Sequence, residues 1–484
     1  MIPSPRYFFG RCLFCFISGS LVWAASATAE NPPPNIILIL VDDLGWSDLE
    51  CYGDPFFETP HLDQLAQEGM RFTNAYAPAP ICSASRASIL TGRTPARTHL
   101  EFVVKKQGDQ PVLQNTQLIQ PQYPLDLPLD EITIAETLAA QGYRTGLFGK
   151  WHLNEHYKTY LGWSPTHGPT QQGFQDADGD FGAHAYGYRD RKFGDFAPGE
   201  FPADAMTEKS IAFLQANRDR PFFLFYSSFY PHEPVHTRCE WLYKKYAAKP
   251  EAQGAAGDRA MYGAVVEQMD HYIGQLLKAV DDLDLRKNTL VVFLSDNGSS
   301  PVYQYRNALR GGKWELYEGG VRVPMIVRWP NQVAAGSEST VPVQGVDIFP
   351  TFASVASAPL PLERSLDGLS LVSLFRGDDS NFPADRNLYW HFPFYHPVTT
   401  IVRPHSAIRR GTWKLIYAPE DHSAQLFRIG DDPGEHVDLS TSYPDVLQDL
   451  QQSLIDYLHT AGARLPAPNP SYQPQGGFPV RLTH

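Results

Sequence analysis

Four stretches of the chain are nearly unbroken in apolar residues: "NIILILV" (35–41), "FFLFYSSF" (222–229), "LVVFLS" (290–295) and "PMIVRW" (324–329). A strand with one wet face alternates polar and apolar positions, whereas a strand covered on both faces does not. These runs therefore predict a largely parallel sheet with helices on both sides. Helical spacing fills the intervals. In "ETPHLDQLAQEGMRF", Thr59 can cap, Pro60 suits the first helical position, Leu62, Leu65 and Ala66 share a face, and Gly69 ends the helix. In "ITIAETLAAQGYRT", Thr133 and Glu136 have capping-box spacing, Ile134 and Leu138 share a face, and Gly142 stops the helix. Strands alternating with helices define an α/β fold.

Periodicity is lost from about Asn154 to Phe201, a Gly-, Asp- and aromatic-rich stretch too long for a simple connection. Loops of that length are commonly functional, so it is expected near an active site. Beyond Ala358 a Pro- and Leu-containing linker leads to a strand-like run, "SAIRRGTWKLIYA". A last amphipathic helix, "DVLQDLQQSLIDYLHTAG", follows, with Leu447, Leu450, Leu454 and Leu458 on one side. The expected division is a leader over 1–29, a catalytic domain over 30–360 and a smaller α+β domain over 361–484.

The leader changes the charge and cysteine accounts. Arg6 and Arg11, the apolar run Cys12 to Trp23 and the small residues Ala27-Thr28-Ala29 have the order of a secretory signal cleaved after Ala29. Export and no stable membrane insertion are expected. Losing the two arginines takes the net charge from −13 to −15, which argues against nucleic acid as a partner. Cys51, Cys82 and Cys239 remain, an odd number that cannot form a disulfide framework, and no Cys/His spacing reads as a zinc site.

Open parallel sheets bind ligands beyond the carboxyl ends of their strands. Here those ends lead into Asp42-Asp43, Lys150-Trp151-His152, His232 and Asp296-Asn297. A single pair of this kind reads as a turn; four do not. Adjacent carboxylates need a positive partner, and Asp42, Asp43, Asp296 and Asn297 offer only oxygen, which suits calcium or magnesium over zinc. Arg86, Lys150 and Lys313 would then bind a tetrahedral oxyanion. Cys82, in "APICSASRASILTGR", precedes a short helix, a position that favours an anion or a thiolate. A small buried cysteine is one alternative. A Cys-His hydrolase with His152 or His232 as base is another, and it leaves the acids unexplained.

The segment "CSASRASILTGR" resembles the signature of the type I sulfatases: C-x-P-x-R, an apolar pair, then Thr-Gly. "NIILILVDDLGWSDLECYGDPFFETPHLDQLAQEGMRFTNAYA", "GYRTGLFGKWHL", "YPHEPVH", "VVFLSDNG", "LRGGKWELYEGGVRVPMIVRWP" and "GTWKLIYA…DDPGEHVDL" resemble further family blocks in family order, from Asn35 to about Leu439. The resemblance implies the alkaline-phosphatase-like fold, a large mostly parallel sheet sandwiched by helices. It also implies that a formylglycine-generating maturation enzyme oxidises Cys82 to Cα-formylglycine. Ala84 stands where the commonest pattern has proline, a departure that bears on which enzyme does so. By the same resemblance, one divalent cation, calcium or else magnesium, is held by Asp42, Asp43, Asp296, Asn297 and the modified Cys82. Arg86 holds the formylglycine and the metal-side carboxylates, and Lys150 and Lys313 contact the sulfate. His152 bonds the formylglycine hydroxyl, and His232 protonates the leaving oxygen.

Glu318, Gly319, Gly320 and Arg322 also fit the family pattern and are read as structural; His391, His396 and His405 are read as surface or packing residues, with a position facing the cleft from the C-terminal side as the alternative. The substrate implied is a sulfate monoester. Sulfated carbohydrate is the expected partner, because the chain is read as exported and its aromatic- and polar-rich stretch suits sugar rings. A phosphate or phosphonate ester hydrolase of the same superfamily, and a catalytically silent glycan-binding protein, are the alternative functions.

Overall fold

A computed structural model of the 484-residue chain describes residues 1–8, 10, 32–107, 115–188, 190–253, 258–303, 309–361, 363–397 and 401–474. The cleavage region of the leader lies outside the described residues. From Pro33 onward the chain is one unit built on an eight-stranded sheet. Its strands are β1 (Asn35–Asp42), β2 (Met70–Phe72), β3 (Arg144–Gly149), β4 (Asp176–Asp178), β5 (Phe222–Pro231), β6 (Thr289–Ser295), β7 (Met325–Arg328) and β8 (Ser337–Ser339), in the spatial order β8-β2-β7-β6-β1-β5-β3-β4. β1 lies parallel between β5 and β6, with Ile37 opposite Leu224 on one side and Val291 on the other. β7 runs antiparallel to both neighbours, β6 and β2. Its apolar run signals cover on both faces, as expected, but carries no information on direction; that depends on how the chain enters the sheet.

The pleat of β1 sends alternate residues into two cores. Ile37, Ile39 and Val41 face α1 (Pro60–Glu68), α4 (Ala205–Asn217) and α5 (Arg259–Asp282). Ile36, Leu38 and Leu40 face α2 (Cys82–Thr91), α3 (Ile134–Ala140) and α6 (Ile348–Val355). The Thr133–Glu136 capping box is formed as expected. Thr59 is not a cap: its hydroxyl accepts from the Glu50 amide and donates to Asp63, and the first free amides of α1 bond to Asp270, 209 residues away in sequence, on α5.

A second sheet, fully antiparallel, comprises β9 (Asn387–Phe392), β10 (His405–Arg410), β11 (Trp413–Ala418) and β12 (Ser423–Arg428). Against it lies α7 (Pro444–Ala461), burying Leu450, Leu454 and Leu458 and ended by Gly462 at φ 70°. The run "SAIRRGTWKLIYA" is thus a hairpin, turned at Gly411 with φ 56°.

Candidate active site

The carboxyl ends of β1, β3, β5 and β6 lie side by side in the middle of the large sheet, so residues far apart in sequence meet there. Asp42 ends β1 and Asp43 follows with φ 65°. His152, two residues beyond Lys150, has φ 57°, and Trp314, beside Lys313, has φ 84°. Non-glycine residues hold such angles only where their surroundings over-determine them, and here three surround one pocket. That pocket, of about 230 Å³, is lined by Asp43, Cys82, His152, His232, Lys313 and Trp314, with Val103, His156 and Tyr160 on its walls. Two larger hollows, of about 640 and 400 Å³, lie elsewhere and include none of the strand-end acids.

Cys82 opens α2 and is buried, with Sγ 3.3 Å from Asp42 Oδ1 and 3.7 Å from Asp43 Oδ1. Burial, and then the Asp42 charge, push its thiol well above the ordinary range, so the unmodified residue is a poor source of thiolate. One turn along α2, Arg86 is buried with Nε donating to Asp296 Oδ2 at 2.8 Å and a second nitrogen to Ser227 Oγ at 2.7 Å. Lys150 Nζ donates to Asp42 Oδ2, and Lys313 Nζ to Asp43 Oδ2 at 2.7 Å. Burial, the largest single influence, would raise both acids, but the surrounding positive groups together, led by Lys150 for Asp42 and Lys313 for Asp43, hold them below the ordinary range. Asp296 is pushed up to about 7, by burial and then by the Asp42 charge.

Whether these residues suit a hard cation can be judged from their oxygens. Ligand atoms of Asp42, Asp43, Cys82 and His232 all lie within 4.8 Å of one another. Asn297 donates its amide to Asp43 Oδ1 at 2.7 Å, which leaves its own Oδ1 buried without a partner. An orphaned carbonyl oxygen beside crowded carboxylates fits an oxygen-seeking divalent ion. Asp296 stands outside the 4.8 Å group, with Oδ2 on Arg86 and Oδ1 accepting from the Asp43 amide at 3.2 Å.

The two histidines are oriented by backbone. His152 Nε2 donates to Val104 O at 2.8 Å, so its buried, unpartnered Nδ1 is the free acceptor. His232 Nε2 lies 3.6 Å from Asp43 Oδ2, and burial, then Lys313, bring its pKa down to about 4. All ten residues expected from the sequence are thus gathered at one end of the sheet. Sequence reasoning missed Ser227, whose hydroxyl ties Arg86 to the Lys150 carbonyl; a serine inside an unbroken apolar strand was the available signal. It also missed Val104 O, a backbone atom with no residue-type signal; the turn around His184 lies in the stretch expected near the active site, although no residue of it was singled out. Glu318 is structural as expected, buried and paired with Lys414 at 2.9 Å. His391 and His405 are packing residues, and His396 stacks on Trp314 at 3.6 Å.

The family model described as Sulfatase matches residues 34–358, and that described as N-sulphoglucosamine sulphohydrolase, C-terminal, matches residues 312–460. Arylsulfatase A of Homo sapiens is 34% identical over 487 residues, covering 89% of this chain and 89% of that protein. N-acetylgalactosamine-6-sulfatase of Canis lupus familiaris is 30% identical over 475 residues, covering 87% and 85%. The crystal structure of Ps i-CgsB in complex with k-i-k-neocarrahexaose superimposes with a TM-score of 0.70 at 27% identity, covering 88% of this chain and 93% of that one.

Proposed function

Because this chain belongs to the sulfatase family and is a sulfuric ester hydrolase, we propose that it cleaves sulfate monoesters on carbohydrate, using a formylglycine made from Cys82 and one hard divalent cation. The observation that carries this reading is the seat of Cys82, at the start of α2 against Asp42 and Asp43 with Lys150 and Lys313 on those same acids. The cation, calcium or else magnesium, would be held by Asp42, Asp43, Asp296, Asn297 and the modified Cys82, and when bound would supply Lewis-acid polarisation of the sulfuryl oxygens. The hydrated formylglycine would supply one hydroxyl as nucleophile towards sulfur and a second whose proton must be removed for sulfate to leave.

The chain's own residues do the rest. Lys150 and Lys313, buried at the pocket, turn their ammonium groups to the sulfuryl oxygens once the carboxylates are otherwise satisfied. Arg86 keeps Asp296 in place and stays charged throughout. His232 presents Nε2 for protonation of the leaving oxygen, and His152 presents the unpartnered Nδ1 as acceptor for the second hydroxyl's proton.

Tyr160 and Trp314, the latter with His396 stacked on it, put aromatic surface on the pocket wall for a sugar, and the neocarrahexaose bound in Ps i-CgsB supports a carbohydrate leaving group. The leader-like first 29 residues support export, and no helix among the described residues is long and apolar enough to cross a membrane. The test is peptide mass spectrometry across residue 82, together with free sulfate measured from sulfated oligosaccharides and from an aryl sulfate. An aldehyde at position 82 and sulfate released from glycans are expected. An active preparation with only thiol at position 82 rules out the formylglycine, and turnover confined to aryl sulfates rules out the carbohydrate.

A further inference from the structure

The aperiodic stretch after Asn154 returns to the active site through one short turn, His184 to Tyr186, and this turn grips His232 from behind. His184 is buried, and its Nε2 lies 3.0 Å from the His232 carbonyl oxygen. A carbonyl only accepts, so Nε2 carries the proton and Nδ1 is the acceptor; the Tyr186 amide donates to that Nδ1 at 3.2 Å. One neutral tautomer therefore satisfies both nitrogens, and burial keeps the ring neutral, with a pKa of about 3.

The same logic fixes His232. Its Nδ1 lies 2.6 Å from the Glu233 carbonyl oxygen, so Nδ1 bears a proton, and Tyr186 Oη at 2.8 Å is a second acceptor for it. The Tyr186 hydroxyl proton is then free to point at Tyr160 Oη, 3.3 Å away on the pocket wall. Tyr186 is wedged against Phe181, His184 and Phe229, with ring centroids 5.4, 4.6 and 6.0 Å away, so its oxygen has little freedom to leave. What remains of His232 is Nε2, facing Asp43 and the pocket.

We propose that His184 and Tyr186 are positioning residues that hold the backbone and ring of His232 in place, so that with Nδ1–H on the Glu233 carbonyl, Nε2 is the nitrogen that serves the ester oxygen. The inference rests on the acid role given to His232 above. In the step concerned His232 is doubly protonated, its Nε2 proton taken up from solvent once the ester is bound; the bond from sulfur to the leaving oxygen breaks, its electron pair stays on that oxygen, and the Nε2 proton passes to it, leaving the neutral ring with its proton on Nδ1. Nδ1–H is kept throughout, and pocket water later restores the proton on Nε2. Esters with basic leaving groups need this proton and those with acidic ones do not, so the grip bears on which sulfates are cleaved.

Tyr186→Phe, tested with calcium on a series from 4-nitrophenyl sulfate to phenyl sulfate, should lower kcat on phenyl sulfate by about tenfold or more and on 4-nitrophenyl sulfate by less than about twofold, with KM little changed. Added to His232→Ala, the same change should cost nothing further. An equal loss across the series, or a full additional loss on His232→Ala, overturns the inference. A His232→Ala enzyme that hydrolyses phenyl sulfate as the wild type does overturns the acid role itself, and this inference with it. Independently of any variant, ¹⁵N-histidine spectra of the calcium-loaded wild type should show the neutral His232 protonated on Nδ1, and protonation on Nε2 alone overturns the inference.

Discussion

Three acids, Asp42, Asp43 and Asp296, face three fixed cations, Arg86, Lys150 and Lys313, in one buried site, so with all three ionised, as a bound cation would favour, the charges of the protein cancel. Adding a divalent cation and a sulfate ester of charge −1 leaves an excess of one positive charge, which favours the transition state as charge builds on the leaving oxygen. Asp296 is the acid whose loss tests this balance, because it serves both Arg86 and the proposed cation. Asp296→Asn keeps the shape but removes a charge; it should cut cation affinity by about 100-fold or more, read as metal retained after dialysis, and sulfate release should fall with it. A variant that keeps one cation per chain and full activity would exclude Asp296 from the ligand set. Cys82 has its own consequence at this scale. It is buried and lines the pocket beside Asp43, so its size matters as well as its chemistry.

At the scale of elements, the precision of the site comes from strand ends. Lys150 points into the site because β3 stays hydrogen-bonded to β5 up to Gly149, and the Lys150 amide then donates to Ser227 O at 2.7 Å. Gly149 has φ 107°, and a Cβ there would stand 2.0 Å from Ser227 O. Only glycine lets the two backbones come that close. Gly149→Ala should therefore pry β3 from β5, lowering stability by about 3 kcal/mol in urea titrations and kcat by about tenfold through the displaced lysine. If the variant unfolds at the wild-type urea midpoint with normal kcat, the strand ends are more tolerant than this close approach implies. Elements also show where local signals mislead: Thr59 sits at a cap position with a capping side chain, yet Asp270 on α5 takes the helix amides because the Thr59 hydroxyl is engaged by the Glu50 amide and Asp63.

Across the whole molecule, the small sheet braces the large one. Lys414 on β11 is fully buried between Glu318 and Glu435, at 2.9 and 3.0 Å, and Trp390 on β9 donates to Ala77 O at 2.8 Å. Glu318 follows Lys313 by five residues, so the brace reaches the active-site lysine. His391 on β9 is buried, bonded to Ser406 Oγ at 2.8 Å, and burial lowers its pKa to about 4. The unfolded chain protonates this ring near its ordinary pKa and the folded one does not, so its contribution is present above about 6.5 and is lost as the pH falls towards 4. Stability measured by urea unfolding should fall over that window. In His391→Gln the fall should be shallower, by up to about 1.4 kcal/mol per pH unit. An unchanged slope would mean that the buried ring titrates alike in both states. The sequence alone determined the two-sided burial of β1, β5, β6 and β7, because cover is written into composition position by position. It also determined which polar residues sit at strand ends, and the motif blocks that carry the family. Only the tertiary structure decided the antiparallel direction of β7, the long-range cap on α1, the tautomers of His152 and His232, and the arrival of His184 and Tyr186 behind His232. Those depend on backbone carbonyls and on partners tens to hundreds of residues away, and a local pattern of side chains holds no record of either.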